Sequence, residues 1–176
     1  GEKSVETEME EKEVEEDTPD KIAARAGMSL SALEKFCEEN NVPIIKRDSL
    51  VLIQAILKMI NAKTMLEIGT AIGYSAISFV SDDNERVVDT IERDEIMYNE
   101  AIKNIDKSGF NKNINVIFSD ALTVDTTNFS KKYDVIFIDA AKAQYQKFFE
   151  KYIPYLKDDG VVITDNILFH GCVEEY

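Results

Sequence analysis

Between Thr64 and Ser75 the chain passes from apolar residues (Met65, Leu66, Ile68) into a turn carrying Gly69 and Gly73. It leaves that turn through Ala76-Ile77-Ser78-Phe79-Val80 at helical spacing. A buried parallel strand feeding a helix across a glycine turn reads this way. The glycines let main chain approach a ligand closely and tolerate positive φ. Glu67 is the informative residue, because a carboxylate in an apolar strand is costly unless it faces a polar ligand or the open end of the sheet. The spacing is Gly-x-x-x-Gly, not Gly-x-Gly-x-x-Gly, and no Gly-Lys-Ser/Thr follows. Both facts argue against a pyrophosphate or triphosphate ligand. An ordinary strand, turn and helix without a ligand is the plain alternative for this stretch alone.

From Lys63 onward short β-branched runs alternate with amphipathic ones. Strands are expected at 64–68, 87–92, 114–118, 133–139 and 160–165, and helices at 74–81, 95–107 and 143–157, the last kinked at Pro154. Upstream, Asp20 to Asn40 reads as helical with a break at Gly27-Met28-Ser29, and Pro43 makes Val42 to Lys46 an extended lead-in. Asp48 or Ser49 is placed to cap a helix running through Ile60. At 176 residues this is most simply one α/β domain, an open sandwich with a parallel sheet and right-handed crossovers. Ligands of such sheets sit beyond the carboxyl ends of the strands.

Those ends carry a coherent set of acids. The strands deliver Glu67, Glu92, Ser119-Asp120-Ala121, Asp139 and Asp165-Asn166 in turn. Glu92 follows Glu67 at about the spacing at which an acid takes ribose hydroxyls in nucleotide-binding halves. Asp139, Asp165 and Asn166 converge if the fourth and fifth strands are neighbours, and their hard oxygens suit Mg²⁺ or Ca²⁺ better than zinc. Such an ion leaves positions for a substrate with two adjacent oxygens and lowers the pKa of its hydroxyl. Lys142 stands where it could take that proton, although a surface lysine on a first helical turn is an equal reading. Asp165-Asn166 also reads as a turn pair. His170, the single histidine, has no partner for nucleophilic catalysis.

The net charge is −14, but residues 1–20 alone hold ten acids and two lysines, so the remainder carries −6. The first twenty residues read as a disordered acidic tail. No apolar run approaches a membrane span and no leader is visible, while Cys37 and Cys172 lack metal or redox spacing. Two free thiols fit a reducing cytoplasm.

Leu66 to Ser75, Thr90-Ile91-Glu92-Arg93, Tyr133 to Lys142 and Ile163-Thr164-Asp165-Asn166 occur in order. Together they resemble the motifs of the divalent-metal-dependent, S-adenosylmethionine (SAM)-dependent O-methyltransferases of the catechol and caffeoyl-CoA type. The likeness runs from about Val42 to Tyr176, after a helical arm at 21–41. Asp139 to Phe149 looks most like the bacterial branch that methylates 5-hydroxyuridine in tRNA. The resemblance implies a Rossmann-like class I methyltransferase sandwich and a cytoplasmic homodimer. It places Glu67, Gly69, Ala71, Gly73, Tyr74 and Ser75 beside the methionine part of the cofactor, Glu92 on the ribose, and Asp120 and Ala121 at the adenine. Asp139 would border the cofactor and ligate Mg²⁺ with Asp165 and Asn166, and Lys142 would be the base. The acceptor would be tRNA hydroxyuridine or a small catechol. The family's last helix and antiparallel hairpin do not follow Tyr176, so the final strands are expected to be missing and a cofactor- or partner-binding domain without activity is the reading from another class.

Overall fold

In a computed structural model of the chain, residues 29–129, 131–139 and 144–165 are described. The acidic tail, the Gly27-Met28 half of the expected break, Lys142, Asn166, His170 and Cys172 lie outside them. Strand β1 (Thr64–Ile68) is buried along almost its whole length, and β2 (Val87–Glu92) and β4 (Tyr133–Ile138) flank it in parallel. Strand β3 (Ile114–Phe118) pairs outside β2, and β5 (Leu156–Thr164) pairs outside β4. The resulting order is β3-β2-β1-β4-β5, all parallel. The chain reverses direction of travel across the sheet between β1 and β4, where such folds open a crevice.

Alternating side chains of the strands feed two apolar layers, as parallel strands covered on both faces must. One layer joins Met65, Val88, Val135 and Phe137 to α1 (Leu30–Asn40), α2 (Arg47–Met59), α3 (Tyr74–Val80) and α4 (Glu95–Ser108). Within it Phe79 and Phe137 meet edge-on with ring centroids 5.3 Å apart. The other layer joins Leu66, Ile68, Ile91, Ile136 and Ile138 to Phe148 and Tyr152 of α5 (Tyr145–Tyr152). Helix α1 is held by buried Leu33 and Cys37 and by the Tyr74 hydroxyl, which donates to Glu34 at 2.6 Å.

Two polar knots close the end of the sheet opposite the crevice. Asp134 Oδ2 accepts from the Lys63 and Thr64 amides and the Thr64 hydroxyl at 2.8–2.9 Å, and Oδ1 accepts from Lys157 Nζ at 2.6 Å. Burial pushes this carboxyl upward, but the Lys157 ammonium and the converging donors win and hold it at about 2. The Arg86 guanidinium, 1 % exposed, donates to Ala62 O at 2.9 Å, to Asp82 at 2.6 Å and to Phe79 O.

Several ends differ from those expected by a single residue, and three boundaries differ by more. Lys46, not Asp48 or Ser49, occupies the N-cap of α2, without a side-chain bond, and Asp48 sits in the first turn where its charge complements the helix dipole. The helix expected over 143–157 ends at Tyr152, and a 3-10 turn over Ile153–Tyr155 admits Pro154, which cannot donate to a continuing helix. Strand β5 therefore begins at Leu156 and not at Gly160. Its register shifts between Leu156, opposite Tyr133, and Val161, opposite Val135. Gly160 is required there, because a Cβ would lie 2.7 Å from Leu156 and 3.0 Å from Asp134 O.

Candidate active site

A cleft of about 190 Å³ opens at the carboxyl ends of β1, β2, β3 and β4. Its wall includes Gly69 after β1, Glu92 and Arg93 after β2, Ser119 to Ala121 after β3, Asp139 after β4, and Phe148 of α5. The ladder runs on past the strands to align these residues. The Gly69 amide donates to Ile91 O at 3.0 Å, Ser119 N to Glu92 O at 2.9 Å, and Asp139 N to Ile68 O at 3.0 Å.

The turn from β1 to α3 uses left-handed backbone at Gly69 (φ 101°), Ala71 (φ 46°) and Gly73 (φ 85°). Glycine has no Cβ to clash at such angles, whereas Ala71 takes one at a cost. Glu92 offsets it: Oε2 accepts from the Ala71 amide at 2.8 Å, and Oε1 accepts from the Arg93 and Asp94 amides at 2.9 Å. The carboxylate is thus fixed at the cleft wall with one lone pair, on Oε2, left for a hydroxyl donor.

Glu67 is fully buried and does not line the cleft. Ser75 Oγ donates to its Oε1, and Thr90 Oγ1 donates to its Oε2 at 2.6 Å. Thr70 and Thr90 hydroxyls are 2.6 Å apart. Its burial is made tolerable by neighbouring hydroxyls. Burial nonetheless pushes the carboxyl up to about 8, against the pull of Ser75 and Thr90, with the Asp139 and Glu92 charges adding to the rise.

The loop after β3 is anchored from α5. Tyr152 OH donates to Ala121 O at 2.5 Å, and Lys151 Nζ to Leu122 O and Val124 O at 2.8 and 2.9 Å. Asp120 Oδ1 caps its own turn through Leu122 N at 2.8 Å, while Oδ2 pairs with Arg93 at 3.7 Å across the cleft mouth.

Asp139 and Asp165 end adjacent strands, with Asp165 N donating to Ile138 O at 3.2 Å. Both face the Tyr145 phenol: burial pushes that phenol up to about 12, and the two carboxylate charges push the same way. The Tyr145 hydroxyl donates to Asp165 O. Among the described residues no three His, Cys, Asp or Glu side chains form a metal-binding group. The two carboxylates suit a hard dication in chemistry, and Asn166, the third expected donor, lies outside the described residues with Lys142.

The structure therefore brings Gly69, Glu92, Asp120, Ala121 and Asp139 to one cleft, with Ala71 and Gly73 in its turn and Glu67, Tyr74 and Ser75 behind it. Ser119, named at a strand end but given no role, also lines the cleft, as do Ile68, Ile91, Arg93, Gln144 and Phe148, which sequence spacing did not single out. Phe148 carries the one usable signal, as an apolar residue on the buried face of α5.

This arrangement has close counterparts. A crystal structure of a protein from Staphylococcus aureus, provisionally assigned as a caffeoyl-CoA O-methyltransferase, superposes with a TM-score of 0.79 at 47% identity, covering 84% of this chain and 71% of that one. An O-methyltransferase from Bacillus cereus in complex with SAH gives 0.73 at 26% identity, over 81% and 67% of the two chains. TomG of Streptomyces achromogenes, an O-methyltransferase of tomaymycin synthesis solved with SAM, shares the fold at a TM-score of 0.75 and 23% identity, over 83% and 68%. A family model described as O-methyltransferase matches residues 23–176, and by that match the chain belongs to the O-methyltransferase family of enzymes.

Proposed function

We propose that the cleft holds SAM and that the chain transfers its methyl group to a hydroxyl beside a second oxygen, assisted by a divalent cation, with 5-hydroxyuridine in tRNA as the leading acceptor. The observation that carries this reading is Glu92. Its carboxylate, held by three amides at the wall of the cleft, keeps one acceptor site on Oε2 for a ribose hydroxyl. Asp120 and Ala121 would border the adenine, Gly69 and the turn to Gly73 the methionine portion, and Asp139 the reacting end.

Asp139, Asp165 and Asn166 would hold Mg²⁺, which when bound lowers the pKa of the acceptor hydroxyl and orients its vicinal oxygens. The acceptor oxygen attacks the methyl carbon, the carbon–sulfur bond breaks with its electron pair left on sulfur, and the hydroxyl proton passes to Lys142 acting as base. Apolar Ile68, Ile91 and Phe148 in the wall exclude water from the sulfonium.

Hydroxyuridine offers O4 and O5 as a vicinal pair, and the run Asp139 to Phe149 resembles the tRNA branch. A small catechol is the second reading. The net −6 of residues 21–176 favours it, because tRNA-binding surfaces are usually basic. Methyl transfer from labelled SAM to hydroxyuridine tRNA and to a catechol, each with Mg²⁺ and with EDTA, tests both. Turnover of tRNA alone, abolished by EDTA, is the expected result; EDTA-resistant turnover would remove the metal from the account.

A further inference from the structure

Helix α5 ends in two polar side chains that take no part in the cleft wall and reach the loop behind it. A lysine in the last turn of a helix ordinarily points to water and complements the dipole. Lys151 instead turns its ammonium onto two carbonyls of the loop after β3, Leu122 O and Val124 O, and burial pulls its pKa down. Tyr152, fully buried, takes a third carbonyl, Ala121 O. The amide sides of the same peptides are held as well: Leu122 N donates to Asp120 Oδ1 at 2.8 Å, and Thr123 N to Asp120 O at 3.0 Å. A planar peptide gripped at its oxygen and at its N–H has little freedom to rotate. Water would satisfy the carbonyls of an ordinary surface loop. This loop is braced by side chains where its first residues, Ser119, Asp120 and Ala121, line the cleft.

We infer that Lys151 and Tyr152 are positioning residues for the base end of the bound ligand: from outside the cleft they hold the carbonyls of Ala121, Leu122 and Val124, and so set the main chain of Asp120 and Ala121 against the nucleobase. This rests on the cleft being a SAM site, with SAH as the probe. Tyr152→Phe removes the hydroxyl and keeps the ring that stacks on Phe129, 6.3 Å between centroids. Lys151→Met keeps a long unbranched stem and removes the ammonium. Tyr155→Phe is the matched control, because the Tyr155 hydroxyl donates to Thr126 Oγ1 at 2.8 Å in the same loop but away from the cleft wall.

Calorimetry on the full chain uses SAH and methylthioadenosine, which keeps base, ribose and sulfur but lacks the amino-acid end, beside amide hydrogen exchange without ligand. Lys151→Met should weaken SAH binding roughly tenfold and Tyr152→Phe roughly fivefold, the scale of carbonyls losing a charged and a neutral donor. Methylthioadenosine should lose affinity by the same factors, because the change lies at the base end. Tyr155→Phe should stay within about twofold of wild type, since water can replace a bond between two half-buried hydroxyls. In both α5 variants exchange should accelerate at residues 119–125 and stay unchanged at residues 69–75. Should Lys151→Met not fold, Tyr152→Phe, which removes a single oxygen, carries the test. Wild-type affinity in Lys151→Met and Tyr152→Phe overturns the inference. A loss for SAH that methylthioadenosine does not share also overturns it, because the effect would then lie at the amino-acid end. A loss in Tyr155→Phe as large as that in Tyr152→Phe overturns it in favour of a general loosening of the loop. If wild type binds neither probe, the cofactor reading itself falls and the positioning role with it, whatever the exchange pattern says of the loop.

Discussion

On the β2 side of β1 the end of the sheet is knitted by side chains: Glu67 to Ser75 and Thr90, and Glu92 to Ala71, Arg93 and Asp94. On the β4 side the alignment comes from main chain, with Asp139 and Asp165 set by single ladder bonds and a phenol lying between their charges. The first half is a cradle built before any ligand arrives. The second half sets two carboxylates at the ends of adjacent strands beside the Tyr145 phenol. Under the proposed function the difference would separate binding from chemistry, the β1–β2 half holding the cofactor and the β4–β5 half activating the acceptor.

The largest expected effect comes from cutting the chemistry while sparing the cradle. Asp165→Asn should lower methyl transfer by roughly a hundredfold or more if it weakens a cation that activates the hydroxyl, with SAH affinity changed less than about threefold, since Asp165 does not line the cleft. A parallel loss of SAH affinity would break the division of labour. Next, Glu92→Ala should weaken SAH binding by roughly a hundredfold, since a charged acceptor with several bonds is lost. Unchanged affinity by calorimetry would remove the ribose clamp.

Acid–base behaviour should distinguish two carboxyls of opposite character. Glu67, raised to about 8, binds its proton more tightly in the folded than the unfolded chain, so its contribution to stability is full at low pH and declines as pH rises toward 8. Asp134, held at about 2, behaves inversely: its contribution is full above the ordinary carboxyl range and lost as pH falls toward 2. Denaturation profiles of Glu67→Gln should lose the decline between pH 5 and 8, and those of Asp134→Asn the fall below pH 4, the windows following from the ordinary carboxyl values near 4. The smallest effect is Gly73→Ala. The new Cβ would meet Ile105 and Ala101 at ordinary distances of 3.5–3.6 Å, so only the φ of 85° is strained. A loss of about 1–2 kcal/mol is expected in urea titrations.

Much of this was readable from residue order. β1, β2 and β3 begin and end where expected, β1 because a strand buried almost throughout leaves a clear apolar signal, and the edge strand β3 because its β-branched run is bounded by polar residues. The end of α5 and the start of β5 were not, because Lys157-Asp158-Asp159 looks like a solvent loop, and only the bond from Lys157 to Asp134 draws it into the sheet. Glu92, Asp120 and Asp139 were found as cleft residues since strand ends converge by topology. That Glu67 meets the hydroxyls of Ser75 and Thr90 was not legible, as Thr90 lies on another strand. Arg93 and Gln144 escaped notice because a polar residue after a strand carries no mark of the direction it faces.

Arg86 bears on the order in which the molecule assembles. Its acceptors, Ala62, Phe79 and Asp82, lie at most 24 positions away, all within the β1–α3–β2 unit. Closing so short a loop forfeits little chain entropy, whereas pairing β4 with β1 spans about seventy residues, as the Thr64–Asp134 bond shows. The arginine therefore acts as a local clasp that can shut early in folding, so that the cofactor-binding half offers a finished edge on which β4, and then β5, are templated.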